Sequence, residues 1–311
     1  MSPADWLWIP VTVWAAFAQT VRNAAQRHLT AELGTLGATL VRFLYGLPFA
    51  VLWLLLVSKI GATALPQSNT PFFLWVLVGA VSQIAATALL LRTMQARNFA
   101  LGVAYSKTEV LQVAVFGLVF LGDRISGPAA LAVAAGTLGV LLLSPADKER
   151  PLRALLTGWT SRTALLGLAC GALFALSAVG YRGAALALPG TPFLMAAAFT
   201  LAAAQLAQTL LLGGWLLARD RDVVRRVLRA WRISLFAGFM GAAASAGWFT
   251  AFAIEPVAHV RTLGLVELVF SYAVSRRLFR ERLSRLEVAG MGLLALGVAI
   301  ITIGATNWPL Q

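Results

Sequence analysis

The sequence predicts an all-α integral membrane protein, with ten transmembrane helices arranged as two inverted five-helix repeats. Three observations predict it. Hydrophobic residues make up 59% of the 311 residues, charged residues only 12%, and the mean hydropathy is +0.81. A soluble chain carries about a quarter charged residues. The apolar residues also come in runs long enough to cross a bilayer as helices, which satisfy their own backbone hydrogen bonds in lipid. Finally, the segment from Ala104 to Val140 occurs twice. A shift of 158 residues lays Glu109 on Glu267, Asp123-Arg124 on Glu281-Arg282, and Ser126 on Ser284. Leu138-Gly139-Val140 falls on Leu296-Gly297-Val298. Each copy is an apolar helix carrying an acid, a tight acidic-basic linker and a second apolar helix, the signature of an internal repeat.

Composition also excludes function classes. The net charge of +13 would point to nucleic acid in a soluble protein. Here no compact basic domain stands outside the apolar runs, so the charge is assigned to membrane-flanking loops and nucleic acid is not an expected partner. The single cysteine, Cys170, excludes an internal disulfide and a cysteine-based metal cluster. It lies in an apolar run and reads as a small core residue.

The first span is Trp6 to Gln26. No Lys or Arg precedes its apolar run and its second half is polar, which argues against a signal peptide. Gln19, Arg22, Asn23 and Gln26 fall on one helical face, and such a stripe is expected to avoid lipid and line a cavity. The second span, Thr35 to Ser58, holds Arg42 a turn or two inside. Arg42 either snorkels to the headgroups or points inward to a carboxylate or an anionic substrate. A loop with Pro66 and Pro71 leads to the third span, Phe72 to Leu91, where Gln83 and Thr87 lie one turn apart. The fourth span, Phe99 to Leu121, carries Tyr105, Lys107, Thr108, Glu109 and Gln112. Tyr105, Glu109 and Gln112 share a face. Ser126 can cap the fifth span, Gly127 to Ser144, with Pro128 tolerated in its first turn.

The polar segment 145–162 joins the repeats, 1–144 and 163–311. The sixth span, Thr163 to Arg182, ends in Ser177, Tyr181 and Arg182. The seventh, Phe193 to Leu217, carries Gln205 and Gln208. The basic stretch from Arg219 to Arg232 is expected to lie on an anionic leaflet. The eighth span, Ile233 to Ala253, has small residues from Gly238 to Ser245, which favour close helix packing. Glu255-Pro256 breaks the chain before the ninth span, Val257 to Leu278, with His259, Arg261, Thr262 and Glu267. The tenth is Leu283 to Gly304. Five spans per unit is odd, so the second unit crosses the membrane inverted, the sequence mark of a secondary transporter.

Ten spans in two five-helix repeats, each ending in an acid, an apolar run and the motif LG(D/E)R-x-S, resemble the drug/metabolite transporter superfamily, EamA type. The first copy, TEVLQVAVFGLVFLGDRIS, is the closer match. The second, VELVFSYAVSRRLFRERLS, keeps the acid, the Glu-Arg and the Ser but lacks the Gly. Val110 and Leu268 stand where the family typically has a proline after the acid. The resemblance covers nearly the whole chain. It implies a basket of ten helices around a central cavity lined by the first, third, fourth, sixth, eighth and ninth spans. It names no substrate, because members move amino acids, nucleotide sugars, drugs and other metabolites.

The expected function is secondary transport or export of a small polar metabolite or drug-like compound across the cytoplasmic (inner) membrane, by alternating access. Expected partners are a small-molecule substrate and the lipid bilayer, with protons as a candidate coupling ion and a monomer or homodimer as the assembly. No cofactor or metal is expected. A channel would want rings of like residues or a filter loop, and none shows. An intramembrane enzyme would need a catalytic cluster, yet there are two His, no H-E-x-x-H and no G-x-S-x-G. No G-x-x-x-x-G-K-[ST] occurs to drive pumping with ATP.

The candidate cavity residues are Gln19, Arg22, Asn23, Arg42, Gln83, Tyr105, Lys107, Glu109, Gln112, Tyr181, His259, Arg261 and Glu267. The glutamates carry the most weight. Each lies 14 residues before its linker acid. That is roughly 21 Å along a helix, past the middle of a core about 30 Å thick. A carboxylate at that depth is paired, protonated or wetted. Lys107, Arg42 and Arg261 are the available cations. A fixed ion pair and a protonatable coupling site both fit this pattern. The loop charges, by the positive-inside rule, place both termini outside, whereas the family resemblance implies both inside.

Overall fold

The computed structural model describes residues 4–96, 109, 112, 127–142, 162–279, 289, 290, 292, 293, 296 and 300. Among them no strand occurs. Most of the expected fourth span, its linker, most of the 145–162 connection and most of the tenth span lie outside the described residues.

Helix α1 spans Ala4–Leu44 and is interrupted at Gly34 (φ 72°, ψ 175°), a backbone region open essentially to glycine alone. The chain reverses there. The Gln26 side-chain amide donates to the Ala38 carbonyl at 2.9 Å. In a straight helix those residues would stand roughly 18 Å apart. The expected boundary between the first two spans therefore tightens to one residue, and helix persists up to it. The second span is in turn divided. A turn at Tyr45-Gly46 precedes α2 (Leu47–Ile60), whose Pro48 sits in the first turn, where its missing N–H costs nothing.

Helix α3 spans Thr70–Ala96. Asn69 fixes its start: its side-chain oxygen accepts from the Phe72 N–H at 2.8 Å and its amide donates to the Ala187 carbonyl at 2.7 Å. After α4 (Gly127–Leu142) comes α5 (Arg162–Leu186), which lies against α3 along much of its length. Glycines permit that approach. A Cβ on Gly180 would sit 2.9 Å from the Gly79 nitrogen, and one on Gly183 would strike the Trp75 ring at 2.7 Å. Packing of small residues, rather than a hydrophobic drive, brings helices together in lipid.

Helix α6 (Phe193–Arg219) leads into the basic stretch, which forms a helix of its own, α7 (Arg221–Arg229). Asp220 caps it by accepting from the Val223 N–H at 3.2 Å. Its Val223, Val224 and Val227 are buried beside Leu33 and Leu40, while Arg221, Arg225, Arg226 and Arg229 are exposed. Helix α8 (Trp231–Ile254) packs along α1, where Gly247 meets Ala15, and against the turn that follows it, where Gly238 meets Tyr45. The expected ninth span is not one helix. It forms α9 (Val257–Leu263) and α10 (Val266–Phe279), separated at Gly264-Leu265 just before Glu267.

Among the described residues, five helical stretches are long and apolar enough to cross a membrane: Trp6–Ile60, Thr70–Thr93, Leu165–Leu186, Phe193–Arg219 and Trp231–Ile254. Their outer surfaces carry exposed Leu52, Leu55, Phe73, Leu77, Leu210, Phe236 and Phe239. The interior holds Arg22, Arg42, Gln83, Gln208, Arg261 and Glu267. Apolar outside and polar inside is the distribution of a membrane protein, whose solvent is hydrocarbon. Cys170 is buried, and its thiol faces the Ala86 carbonyl at 3.3 Å.

Candidate functional site

The polar interior surrounds a pocket of about 600 Å³ of non-atom space, the open solvent at its mouth included. The first leg of α1 contributes Gln19, Arg22 and Asn23, and the leg after Gly34 contributes Arg42. Helix α3 brings Gln83 and Leu90, and α5 brings Phe174 and Tyr181. Helix α8 supplies Ser245, Trp248, Phe249 and Phe252. Arg261 on α9, Glu267 at the start of α10, and Glu109 complete the lining. Glu109 and Glu267, equivalent positions of the sequence repeat, thus face one space.

Two hydrogen-bonded groups organise the walls. In the first, the Trp248 indole N–H donates to Gln19 Oε1 at 2.9 Å, and the Gln19 amide donates to the Glu267 carboxylate at 2.6 Å. Asn23 donates to the other Glu267 oxygen at 3.0 Å and accepts from Arg22 Nη2 at 2.8 Å. These spacings exist because Gln19 and Asn23 are one turn apart on α1. Glu267 is therefore held by amides. In the second group, Gln83 Oε1 accepts from the Tyr181 hydroxyl at 3.1 Å and from the Gln208 amide at 2.6 Å. Gln208 also donates to the Tyr181 oxygen at 2.8 Å, and the Tyr181 ring lies 4.4 Å from that of Phe249.

The arginines are placed differently from one another. Arg261 pairs with Glu109 at 3.6 Å, and its guanidinium lies over the rings of Trp248 and Phe252 at 4.8 and 5.1 Å. Arg42 donates from Nη1 to the Thr87 hydroxyl at 3.3 Å, and Thr87 in turn donates to the Gln83 carbonyl at 2.8 Å. Arg42 is buried inside the helices and does not snorkel. Gly241 on α8 leaves space for both remaining arginines: a Cβ there would lie 3.4 Å from Arg22 Cδ and 3.5 Å from Arg42 Cγ.

Of the residues singled out in the sequence, Gln19, Arg22, Asn23, Arg42, Gln83, Glu109, Tyr181, Arg261 and Glu267 come together here. Three differences stand out. His259 does not line the cavity; it pairs with Glu255 four residues back, at the break between α8 and α9. Arg182 stabilises that same break, donating to the carbonyls of Phe252, in the last turn of α8, and Glu255, its C-cap, at 2.6 and 2.8 Å. Gln112 is half-buried and outside the lining, and Gln26 of the polar stripe is spent on the reversal at Gly34. Tyr105 and Lys107 lie outside the described residues. Sequence reading missed the aromatic wall of α8 and the part of Gln208. Gln208 had a signal, a polar residue in an apolar span, but the aromatics of α8 look like any lipid-facing ring. Among the described residues no group of His, Cys, Asp and Glu could hold a metal ion.

No family model and no curated protein matches the chain. The chain is similar to a solved crystal structure described only as that of a protein. The two are 14% identical, with a TM-score of 0.68 over 98% of this chain and 99% of that one. At that identity the likeness shows the fold alone.

Proposed function

We propose that the chain is a secondary transporter of a small polar metabolite, built as ten spans in two inverted five-helix repeats and residing in the cytoplasmic (inner) membrane. The cavity is its substrate site, and alternating access carries the substrate across. The reading rests on one observation: a jacket of apolar helices encloses charged and amide side chains that meet around empty space, at the two glutamates the repeat equates. Intramembrane ionisable groups facing a cavity mark substrate or ion pathways. The broken ninth span supports the reading, because interrupted helices flank binding sites in such transporters. The EamA-type resemblance points the same way. The chain performs no chemistry on its substrate, and protons are the coupling ion proposed.

The test uses the purified chain in liposomes. Labelled metabolites should enter saturably, and a preloaded unlabelled compound should accelerate entry by counterflow. Conductive flux without saturation or counterflow would make the chain a channel instead.

A further inference from the structure

We propose that the cavity takes a small organic anion, a monocarboxylate with an apolar or aromatic body, whose carboxylate is bound by Arg22 and Arg42. The inference rests on the cavity's being the substrate site and names the substrate class for it. Both arginines are nearly sealed from the surroundings, at 2% and 3% exposure. Among the described residues neither has a carboxylate within ion-pairing distance. Arg22 spends Nη2 on Asn23 and leaves Nε and Nη1 without acceptors, and Arg42 spends Nη1 on Thr87 and leaves Nε without one. Buried charges are normally paired, and a guanidinium with spare donors is a fork shaped for a carboxylate. The two acids of the lining are hydrogen-bonded or paired to other residues, and the Glu267 charge reaches both arginines only through space. Glu109 faces Arg261, and Glu267 receives Gln19 and Asn23. The same engagement leaves both acids already matched, which disfavours a cationic ligand. Among the described lining residues there are three arginines against two glutamates, an excess of one positive charge. A monoanion balances it. The body of the ligand has a surface ready beside the charge: Arg42 reaches Gln83 through Thr87, Gln83 holds Tyr181, and Tyr181 stacks near Phe249.

Benzoate is the probe, with choline as the cationic control and glycerol as the neutral one. In detergent, benzoate should raise the melting midpoint of the full chain and bind saturably, while choline and glycerol do neither. Arg42→Met should weaken benzoate binding at least tenfold and leave the ligand-free melting midpoint no lower, since it removes a buried charge with no acid partner. Arg42→Lys, which keeps the charge and loses the fork, should also weaken binding. Arg225→Gln, on the outer surface, should not. Competition by other monocarboxylates on the unaltered chain needs no variant and should displace benzoate. Stabilisation by choline but not benzoate, or undiminished benzoate binding in Arg42→Met, would overturn the anion assignment. Vesicle uptake separates this from failure of the transport reading. Uptake confined to neutral or cationic compounds sinks the anion alone. Arginine-dependent benzoate binding without movement of any compound sinks transport alone.

Discussion

The Arg261 guanidinium lies 3.6 Å from the Glu109 carboxylate and 4.8 Å above the Trp248 ring, so one cation links the glutamate of the first repeat to α8. Glu267, the equivalent acid, accepts from the side-chain amides of Gln19 and Asn23. The two acids therefore should answer differently to neutralisation. Glu109→Gln strands Arg261, and breaking a buried pair costs about 3–5 kcal/mol. We expect a lower yield and melting temperature for Glu109→Gln and a smaller effect for Glu267→Gln, whose new amide can still accept from Gln19 or Asn23. If Glu267 is the proton-coupling group, Glu267→Gln should abolish uphill uptake driven by a proton gradient and retain counterflow exchange. Unchanged gradient-driven uptake in both variants would remove proton coupling from this site.

The polar stripe of α1 divides between two tasks. Gln19 and Asn23 are half-buried on the cavity, whereas Gln26 is buried with its amide on the Ala38 carbonyl. In a Cys170→Ala background, Gln19→Cys and Asn23→Cys should react with a water-soluble thiol reagent. Gln26→Cys should not, and it should lose stability by about 1 kcal/mol for the missing hydrogen bond. Labelling at Gln26 alone would mean that the stripe is a solvated helix end.

That division shows what the sequence carried and what it withheld. Helical periodicity put Gln19, Arg22 and Asn23 on one face, and the repeat singled out Glu109 and Glu267, because both signals are local or self-referential. Periodicity is silent on backbone breaks within an apolar run. Gly46 and Pro48 do mark a helix boundary inside the apolar second span, whereas a lone glycine such as Gly264 is tolerated in a helical pattern, yet both places interrupt helices. His259 shares a span with Arg261 and Glu267 but pairs with Glu255, four residues back, instead of facing the cavity. The direction of Arg42 was open for the same reason: depth along a span does not fix rotation about it.

The α3–α5 contact allows a sharp comparison. A Cβ at Gly180 would meet backbone atoms of Gly79 at 2.9 and 3.0 Å, and backbone cannot rotate away. Gly180→Ala should separate the helices, disturb the neighbouring Tyr181–Gln83–Gln208 group and lower the melting temperature. Gly214, on α6, has nothing within 4 Å of such a Cβ. Gly214→Ala should be neutral or stabilising by up to about 1 kcal/mol, the helix-propensity difference. Equal melting temperatures for the two variants, read by fluorescence in detergent, would mean that the helices slide apart at no cost.

Helix α7 gives the orientation a structural handle. Its valines are buried against α1, and the exposed face carries Arg221, Arg225, Arg226 and Arg229 against one acid, Asp222, which pairs with Arg225. Such a face gains roughly 1 kcal/mol per residue beside an anionic leaflet. By the positive-inside rule, the orientation expected for the proposed transporter has this face in the cytoplasm. With three further spans to follow in the proposed topology, the C-terminus then lies outside. In spheroplasts carrying a Cys170→Ala chain, Arg225→Cys and Arg229→Cys should resist a membrane-impermeant thiol reagent until the membrane is permeabilised. A green fluorescent protein fused to the C-terminus should stay dark. The two readouts are independent. Labelling of α7 from outside together with a bright fusion would reverse the orientation and favour the one implied by the family resemblance. Labelling from inside together with a bright fusion would contradict an odd number of crossings after α7, and with it the ten-span count.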